Sequence, residues 1–329
     1  MKYISKKTIL ILLLILTVVT IAACSGRSPA VAFRADNEHP AFRMFEFPEE
    51  VPVARTFAAD LCVVPGNIAG SVDPDLIDAG AAAIFAIHDL TTPYAYQVYE
   101  QIHPASLTKV MTALVALKYG SLDHFITVGP SVDGLGTGVQ KCGLARGDQL
   151  TLAQALHLSL INSANDAALV VAEGVAGSVE EFVSLMNREA RMLGATNTNF
   201  TNPHGLTHDD QFSTVYDLYL IMNAAIKYEA FNQIIAMDTY TTSYMTANGG
   251  QREITVGSTN LYLQGSFATP AGVTVLGGKT GTTNAAGHCL VILAKDAAER
   301  SHIALVMRAA TRDEVYQQMN VLLRQIGQS

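Results

Sequence analysis

The chain has 329 residues, and its 29 acidic and 21 basic side chains give a formal net charge of −8. An acidic balance argues against a nucleic-acid partner, which would require a basic face. The four cysteines and nine histidines show no metal-ligand spacing, so we expect no metal site and no cofactor.

The N-terminus has the pattern of an export signal. Three lysines within the first seven residues precede an apolar run over 8–21. The run ends in Ile21-Ala22-Ala23-Cys24, which resembles the lipobox of bacterial lipoproteins. We therefore predict a lipoprotein signal peptide at residues 1–23 and lipidation of Cys24, with an uncleaved membrane anchor as the alternative. Both interpretations place the protein outside the cytoplasm, tethered to the outer face of the cell membrane.

A spacer is predicted between the lipid and the folded domain, over residues 24–79. Its first part carries four prolines between residues 29 and 52 and little hydrophobic periodicity, which is typical of a linker. Removal of the signal would also remove three lysines, and the remaining 18 basic and 29 acidic residues give a charge of −11. We therefore do not expect bulk charge to hold the protein on an anionic wall or membrane.

Strand and helix patterns follow each other in an order that predicts an α/β fold. Strands are expected at 81–87, 94–99, 288–293 and 302–307, with a turn at 89–93. The pattern between 150 and 227 is strongly helical, and 313–326 predicts a closing amphipathic helix. Strands from both ends of the chain would form one sheet, with an all-helical subdomain inserted between them and a cleft where the two parts meet.

A serine and a lysine three residues apart form the first chemical motif, Ser106-Leu107-Thr108-Lys109. A helix places residues three apart on one face, so Lys109 could remove the proton that makes the Ser106 hydroxyl a poor nucleophile. The apolar residues that follow, up to Gly120, predict that helix. By itself the motif has low specificity, because it also occurs by chance on surfaces.

Two further motifs follow in order, Ser163-Ala164-Asn165 and Lys279-Thr280-Gly281. The three together match the signature of the penicillin-recognising serine enzymes. Their flanking segments, and Asn202-Pro203-His204-Gly205-Leu206 between them, resemble those of serine-type D-alanyl-D-alanine carboxypeptidases, the low-molecular-mass penicillin-binding proteins. The resemblance covers most of residues 80–329 and implies a β-lactamase/transpeptidase-like fold, with an antiparallel sheet flanked by helices. A second Ser-x-Asn, at Ser258-Thr259-Asn260, is interpreted as a chance match.

The resemblance implies an acylation centre. Ser106 would be the nucleophile and Lys109 its general base, whose pKa must fall through burial and through Lys279 as a second cation. Ser163 would relay a proton to the leaving group, and Asn165 would hydrogen-bond the substrate amide or Lys109. The implied reaction removes the terminal D-alanine from peptidoglycan stem pentapeptides through an acyl-enzyme, with β-lactams as inhibitors.

The third motif would bind the substrate. Lys279, Thr280, Gly281 and Thr282 are the residues implied, with Lys279 and the two threonine hydroxyls on the terminal carboxylate. The backbone N–H groups of Ser106 and Thr282 would form the oxyanion hole. We expect His204, in a turn sequence, to shape its loop rather than act in acid–base chemistry. Relatives often use an arginine near the last strand for the carboxylate, and for that role the sequence leaves the choice between arginines 308 and 312 open.

Three alternatives compete with the carboxypeptidase interpretation. A class A β-lactamase would require a Glu-x-x-Leu-Asn segment, and none occurs between Asp166 and Lys279. Relatives specialised as D,D-endopeptidases tend to carry a long insertion between the first two motifs, for which Lys109 to Ser163 leaves no room. A non-catalytic wall-binding scaffold would be expected to have lost some motif residues, whereas all are present here.

Three cysteines would remain after lipidation of the fourth. Cys289 lies in an apolar strand-like run and is expected to be a buried thiol. Pairing of Cys62 with Cys142 is possible in an oxidising compartment, and the sequence leaves it open. Many relatives continue into a β-rich domain and a membrane-binding helix, whereas this chain ends at Ser329, so we expect the Cys24 lipid to replace that helix as the anchor.

Overall fold

The computed structural model describes residues 58–70 and 77–326. The predicted signal peptide, Cys24 and the first part of the predicted spacer lie outside the described residues. Cys62 and Val64 are buried in the core of the domain, so packing extends N-terminal to the boundary predicted at residue 80. None of the helices in these ranges is both long and apolar enough to cross a membrane.

The described residues form strands and helices in the following chain order. The strands are β1 (Ala81–Ala86), β2 (Thr91–Tyr96), β3 (Phe125–Thr127), β4 (Gln149–Thr151), β5 (Thr239–Met245), β6 (Gln251–Gly257), β7 (Thr274–Thr283), β8 (Gly287–Lys295) and β9 (Ser301–Ala309). The helices are α1 (Thr108–Tyr119), α2 (Leu152–Ile161), α3 (Asn165–Ala176), α4 (Val179–Met192), α5 (Val215–Ala225), α6 (Glu229–Ile235) and α7 (Arg312–Leu323).

The central sheet joins the two ends of the chain, as the sequence predicts. Its order is β2-β1-β9-β8-β7, and every neighbouring pair is antiparallel. β1 and β9 lie inside the sheet with helices against both faces, which explains their almost continuous apolar sequences. β7 lies at the edge, so its outer side is free of a neighbouring strand.

The second strand starts earlier than predicted. We expected a strand at 94–99 after a turn at 89–93, whereas the turn closes at Asp89 and Leu90 and β2 begins at Thr91. The Asp89 carboxylate accepts hydrogen bonds from the Thr91 N–H and hydroxyl, which holds the shorter turn. Pro93 is compatible with this strand because β2 lies at the edge of the sheet.

The inserted part is mainly helical, yet it is not all-helical as predicted. It carries a second antiparallel sheet of order β3-β4-β5-β6. Local sequence patterns do not indicate this sheet, because β3 and β4 have three residues each and the β5–β6 hairpin is mostly polar. The predicted antiparallel sheet flanked by helices is confirmed.

Helix α1 lies at the centre of the domain. Every residue from Thr108 to Ala116 is buried, so the helix has no solvent-facing stripe over most of its length. It packs on α3, α5 and the turn that precedes it, and its N-terminal end points to the cleft. The first motif is therefore held by a rigid, fully packed element.

The three described cysteines are free and buried. Cys289 is 1% exposed, which confirms the predicted buried thiol. Cys62 and Cys142 do not pair with each other. Their sulfur atoms contact the carbonyl of Ala86 and the side chain of Asn162, respectively.

Candidate active site

A cavity of about 710 Å³ brings together the three sequence motifs. The residues of these motifs that line it are Ser106, Ser163, Asn165, Thr280, Gly281 and Thr282. The two motif lysines lie behind the wall, since Lys109 is 0% and Lys279 is 1% exposed. The motif residues are thus adjacent in space although Ser106 and Thr282 are 282 − 106 = 176 positions apart along the chain.

The serine of the first motif lies in a single 3₁₀ turn, Ala105–Leu107, directly before α1. We expected the helix to begin at the serine, whereas it begins at Thr108. Ala105 has a left-handed φ of +47°, which starts the tight turn before the helix. Lys109 then points back along the helix, and its Nζ lies 2.9 Å from the Ser106 Oγ. Strained backbone beside a partly exposed hydroxyl is a common feature of functional sites.

Lys109 is a buried amine with three hydrogen-bond acceptors. Its Nζ donates to the Ser106 Oγ, to the Asn165 Oδ1 at 2.8 Å and to the His204 carbonyl at 2.6 Å. Burial first, and then the charge of Lys279, hold the pKa of Lys109 well below its usual value, while Asp166 opposes them. Burial thus favours the neutral amine. In that form its two N–H groups donate to Asn165 and His204, and its lone pair is left to accept the Ser106 hydroxyl proton.

The serine of the second motif joins α2 to α3. Ser163 has a left-handed φ of +61° and is 7% exposed. Lys279 Nζ donates to its Oγ and to the Thr280 carbonyl, both at 2.9 Å. Burial lowers the pKa of Lys279 to about 7.

The third motif lies on the edge strand β7, whose free side faces the cleft. A Cβ on Gly281 would lie 3.0 Å from the Ser106 nitrogen, so the strand backbone packs directly against the serine turn. This close approach favours glycine, because a Cβ would displace the serine turn by a few tenths of an ångström. Alternate N–H groups of an edge strand have no partner strand, which fits the oxyanion hole predicted from Ser106 and Thr282.

Hydroxyl groups of the third motif have partners on the cavity wall. The Thr280 hydroxyl lies 2.6 Å from that of Thr259, and the Thr282 hydroxyl lies 3.1 Å from the His288 Nδ1. Thr259 belongs to the Ser-x-Asn segment interpreted as a chance match, and it lines the cavity. Sequence reasoning assigned no site role to Thr259, whose segment was interpreted as a chance match, or to His288, which starts the strand predicted at 288–293.

His204 and the two candidate arginines have distinct positions. The His204 ring accepts a hydrogen bond from the Leu206 N–H, and its carbonyl holds Lys109. Burial and Lys109 lower the pKa of His204 to about 3, which argues for the predicted loop-shaping role. Arg312 lines the cavity, whereas Arg308 packs against Gly80. The geometry therefore favours Arg312 of the two arginines.

The described residues that line the cavity include no aspartate or glutamate. Arg312 lies in the lining of the cavity, and Lys279 of the third motif lies directly behind it. Such a cavity suits a ligand with a carboxylate, and it offers no carboxylate base for a deacylating water. Among the described residues, no cluster of histidine, cysteine and carboxylate side chains is suited to a metal ion.

Comparison with known proteins identifies the fold and the family. A model of the D-alanyl-D-alanine carboxypeptidase family, Peptidase_S11, matches residues 70–311. The chain is 34% identical over 229 residues to D-alanyl-D-alanine carboxypeptidase DacF of Bacillus subtilis, covering 68% of this chain and 56% of that protein. It is 36% identical over 221 residues to DacC of Escherichia coli, covering 64% and 52%. The chain thus matches about half the length of these curated relatives.

Solved structures give the same result for the fold. The Streptomyces K15 DD-transpeptidase superposes with a TM-score of 0.69 at 26% identity, covering 76% of this chain and 97% of that one. A D-alanyl-D-alanine carboxypeptidase from Mycobacterium tuberculosis superposes with a TM-score of 0.68 at 27% identity, covering 79% and 94%.

Proposed function

The chain belongs to the D-alanyl-D-alanine carboxypeptidase family, and on that premise we propose that it removes the terminal D-alanine from peptidoglycan stem pentapeptides. The observation that carries the proposal is the 2.9 Å contact between the Ser106 hydroxyl and the buried amine of Lys109. The reaction proceeds through an acyl-enzyme and is inhibited by β-lactams, which acylate the same serine.

Acylation begins with proton transfer. Lys109, neutral because its pKa is depressed, takes the proton of Ser106 as the Oγ attacks the carbonyl carbon of the penultimate D-alanine. A C–O bond forms, and the carbonyl electron pair moves onto the oxygen. The N–H groups of Ser106 and Thr282 would stabilise that oxyanion. Asn165 holds Lys109 in place from the other side of the amine.

The leaving group departs with a proton. When the tetrahedral intermediate collapses, the C–N bond breaks and the nitrogen of D-alanine takes up a proton. Ser163 is suited to deliver it, because its hydroxyl is hydrogen-bonded to Lys279. Water then attacks the ester carbon, the C–O bond to Ser106 breaks, and the shortened stem peptide leaves.

Recognition rests on the substrate carboxylate. The hydroxyls of Thr280 and Thr282 face the cavity, and Lys279 lies directly behind them. Because its pKa is near 7, an approaching carboxylate would favour the charged form of Lys279. Arg312 adds a second cation on the same wall. The backbone of Gly281 keeps this strand close to the serine turn.

The rival activities differ in substrate or in the fate of the acyl-enzyme. A β-lactamase needs a base for deacylation, and the described cavity lining contains no carboxylate. A D,D-endopeptidase would cut cross-linked dimers. A scaffold would bind wall material without releasing D-alanine. No cofactor, metal or nucleic acid is part of the proposed reaction.

The test is incubation of the purified protein with pentapeptide and cross-linked muropeptides, followed by mass spectrometry. We expect the mass of each pentapeptide stem to fall by that of one alanine residue, with cross-linked dimers left uncut. Cleavage of dimers without trimming of pentapeptides would transfer the assignment to the endopeptidase. No change in either substrate would favour the scaffold.

We further propose that the protein is a lipoprotein attached to the outer face of the cell membrane through Cys24. The support is the N-terminal sequence, with its basic start, apolar run and small residues before the cysteine. Metabolic labelling with a fatty-acid analogue tests this in the native host. A Cys24→Ser variant should lose the label and leave the membrane fraction, and labelling of that variant would contradict the proposal.

A further inference from the structure

Asp166 follows the second motif directly, and the proposed mechanism gives it no role. It lies in the first turn of α3 and is 1% exposed. Its carboxylate accepts hydrogen bonds from four backbone N–H groups, and no cation is bonded to it among the described residues. One of the four belongs to the next residue of its own helix, Ala167, and lies 2.9 Å away.

The other three donors belong to one surface segment. We call residues 136–144 the rim loop. This irregular stretch precedes β4 in the chain and contributes to the lining of the cavity. The N–H groups of Cys142, Gly143 and Leu144 point at the Asp166 carboxylate at 2.8 to 3.0 Å. Three successive amides thus converge on one buried side chain, which fixes the C-terminal half of the loop.

The N-terminal half of the rim loop forms part of the cavity wall. Gly138, Val139 and Gln140 line the cavity beside Ser163 and Asn165. The Gln140 carbonyl accepts a hydrogen bond from the Asn165 N–H at 2.9 Å, and its side chain donates to Asn162 at 2.8 Å. The loop and the second motif are therefore in direct contact at the site of the proposed chemistry.

We propose that Asp166 is a positioning residue that holds the rim loop against the second motif and so completes the substrate-binding wall. This inference rests on the proposed carboxypeptidase function. It assigns to Asp166 no contact with the substrate and no proton transfer. Its effect on substrate binding passes through the position of Gln140 and its neighbours, apart from the influence of its charge on the pKa of Lys109.

Asp166→Asn should release the rim loop while it preserves the shape of the side chain. Each oxygen of Asp166 accepts at least two backbone N–H groups, so an amide nitrogen in either place would face donors instead of acceptors. A displaced rim loop should weaken substrate binding more than it slows the catalytic steps. We expect KM for a soluble pentapeptide to rise about 10-fold or more, with a smaller change in kcat.

Asp217→Asn is the matched control. Asp217 also lies in the first turn of a helix, is 2% exposed, and accepts a backbone N–H, that of Asn197, at 2.8 Å. It is not among the residues that line the cavity. The control variant should lose stability like Asp166→Asn, yet keep KM and kcat within about twofold of the wild type.

The experiment combines steady-state kinetics of the two variants with amide hydrogen exchange of the full chain. In the wild type, the amides of residues 142–144 should be protected, and in Asp166→Asn they should exchange much faster. Equal KM in Asp166→Asn and the wild type, or equal KM increases in both variants, would overturn the inference. If Asp166→Asn does not fold, unprotected amides at 142–144 in the wild type would overturn it instead. Failure of the wild type to release D-alanine would refute the proposed function, and the exchange data would still decide whether Asp166 holds the loop.

Discussion

Gly205 offers a direct test of how closely the site is packed. Its φ is +90°, and a Cβ placed on it would lie 1.8 Å from the Ala105 carbonyl oxygen and 3.0 Å from the Ser106 nitrogen. The glycine therefore lies directly on the peptide bond that precedes the nucleophile. The preceding residue, His204, supplies the carbonyl that holds Lys109.

Gly205→Ala must move one of these two segments. Widening the 1.8 Å contact to about 3.0 Å requires a displacement of 1.2 Å, either of the serine turn or of the His204 carbonyl. A misplacement of about 1 Å can reduce the rate about 100-fold, and the left-handed φ adds about 1–2 kcal/mol of strain. We expect the acylation rate constant with a fluorescent penicillin to fall by about 100-fold.

Gly249→Ala separates the two effects. Gly249 has a similar φ of +76°, with open space around its Cβ position in the β5–β6 turn. This control should be destabilised by a similar backbone strain in urea unfolding, yet it should acylate at the wild-type rate. Acylation of Gly205→Ala within about threefold of the wild type, or an equal loss in Gly249→Ala, would refute the packing argument.

Three other predictions follow from the same contacts. Acylation requires neutral Lys109, so the acylation rate should fall with decreasing pH. In Lys279→Met the loss of a neighbouring cation raises the pKa of Lys109, which should move this fall in rate to higher pH. An unchanged pH–rate profile in that variant would contradict the coupling of the two lysines. Tyr219→Phe removes the hydroxyl that accepts the buried Cys62 N–H at 2.9 Å. The free energy of unfolding, measured by urea titration, should fall by about 1–3 kcal/mol. Unchanged stability would show that this hydrogen bond contributes little. The benzylpenicillin adduct should persist after removal of excess drug, because the described cavity lining holds no carboxylate base; rapid turnover measured by loss of the adduct mass would contradict this.

The sequence allowed prediction of the sheet that joins both chain ends, because its strands are long and apolar. β8, β9 and α7 lie within a few residues of their predicted positions. The second sheet escaped prediction because β3 and β4 have three residues each, and β5 and β6 are mostly polar. The two halves of this sheet meet through a single distant residue pair, Gln149 and Met245. Local periodicity carries no information on such pairing.

Site residues that belong to short motifs of known spacing could be predicted from the sequence. Residues whose role in the site depends on tertiary contacts could not. Ser106, Lys109 and Ser163 were identified from short patterns. Thr259 and Asp166 were not, because their roles depend on a hydroxyl contact and on loop amides that only the fold brings together. The roles of the motif residues in catalysis remain predictions that experiment must test.

The central claim is that Ser106 is acylated because Lys109 is held beside it as a neutral amine. The most direct measurement is mass spectrometry of the intact protein and its peptides after incubation with benzylpenicillin. We expect one adduct, on the peptide that contains Ser106, and its disappearance in Ser106→Ala although that variant stays folded. An adduct of equal yield in Ser106→Ala, or one on another residue of the wild type, would refute the assignment of Ser106 as the nucleophile.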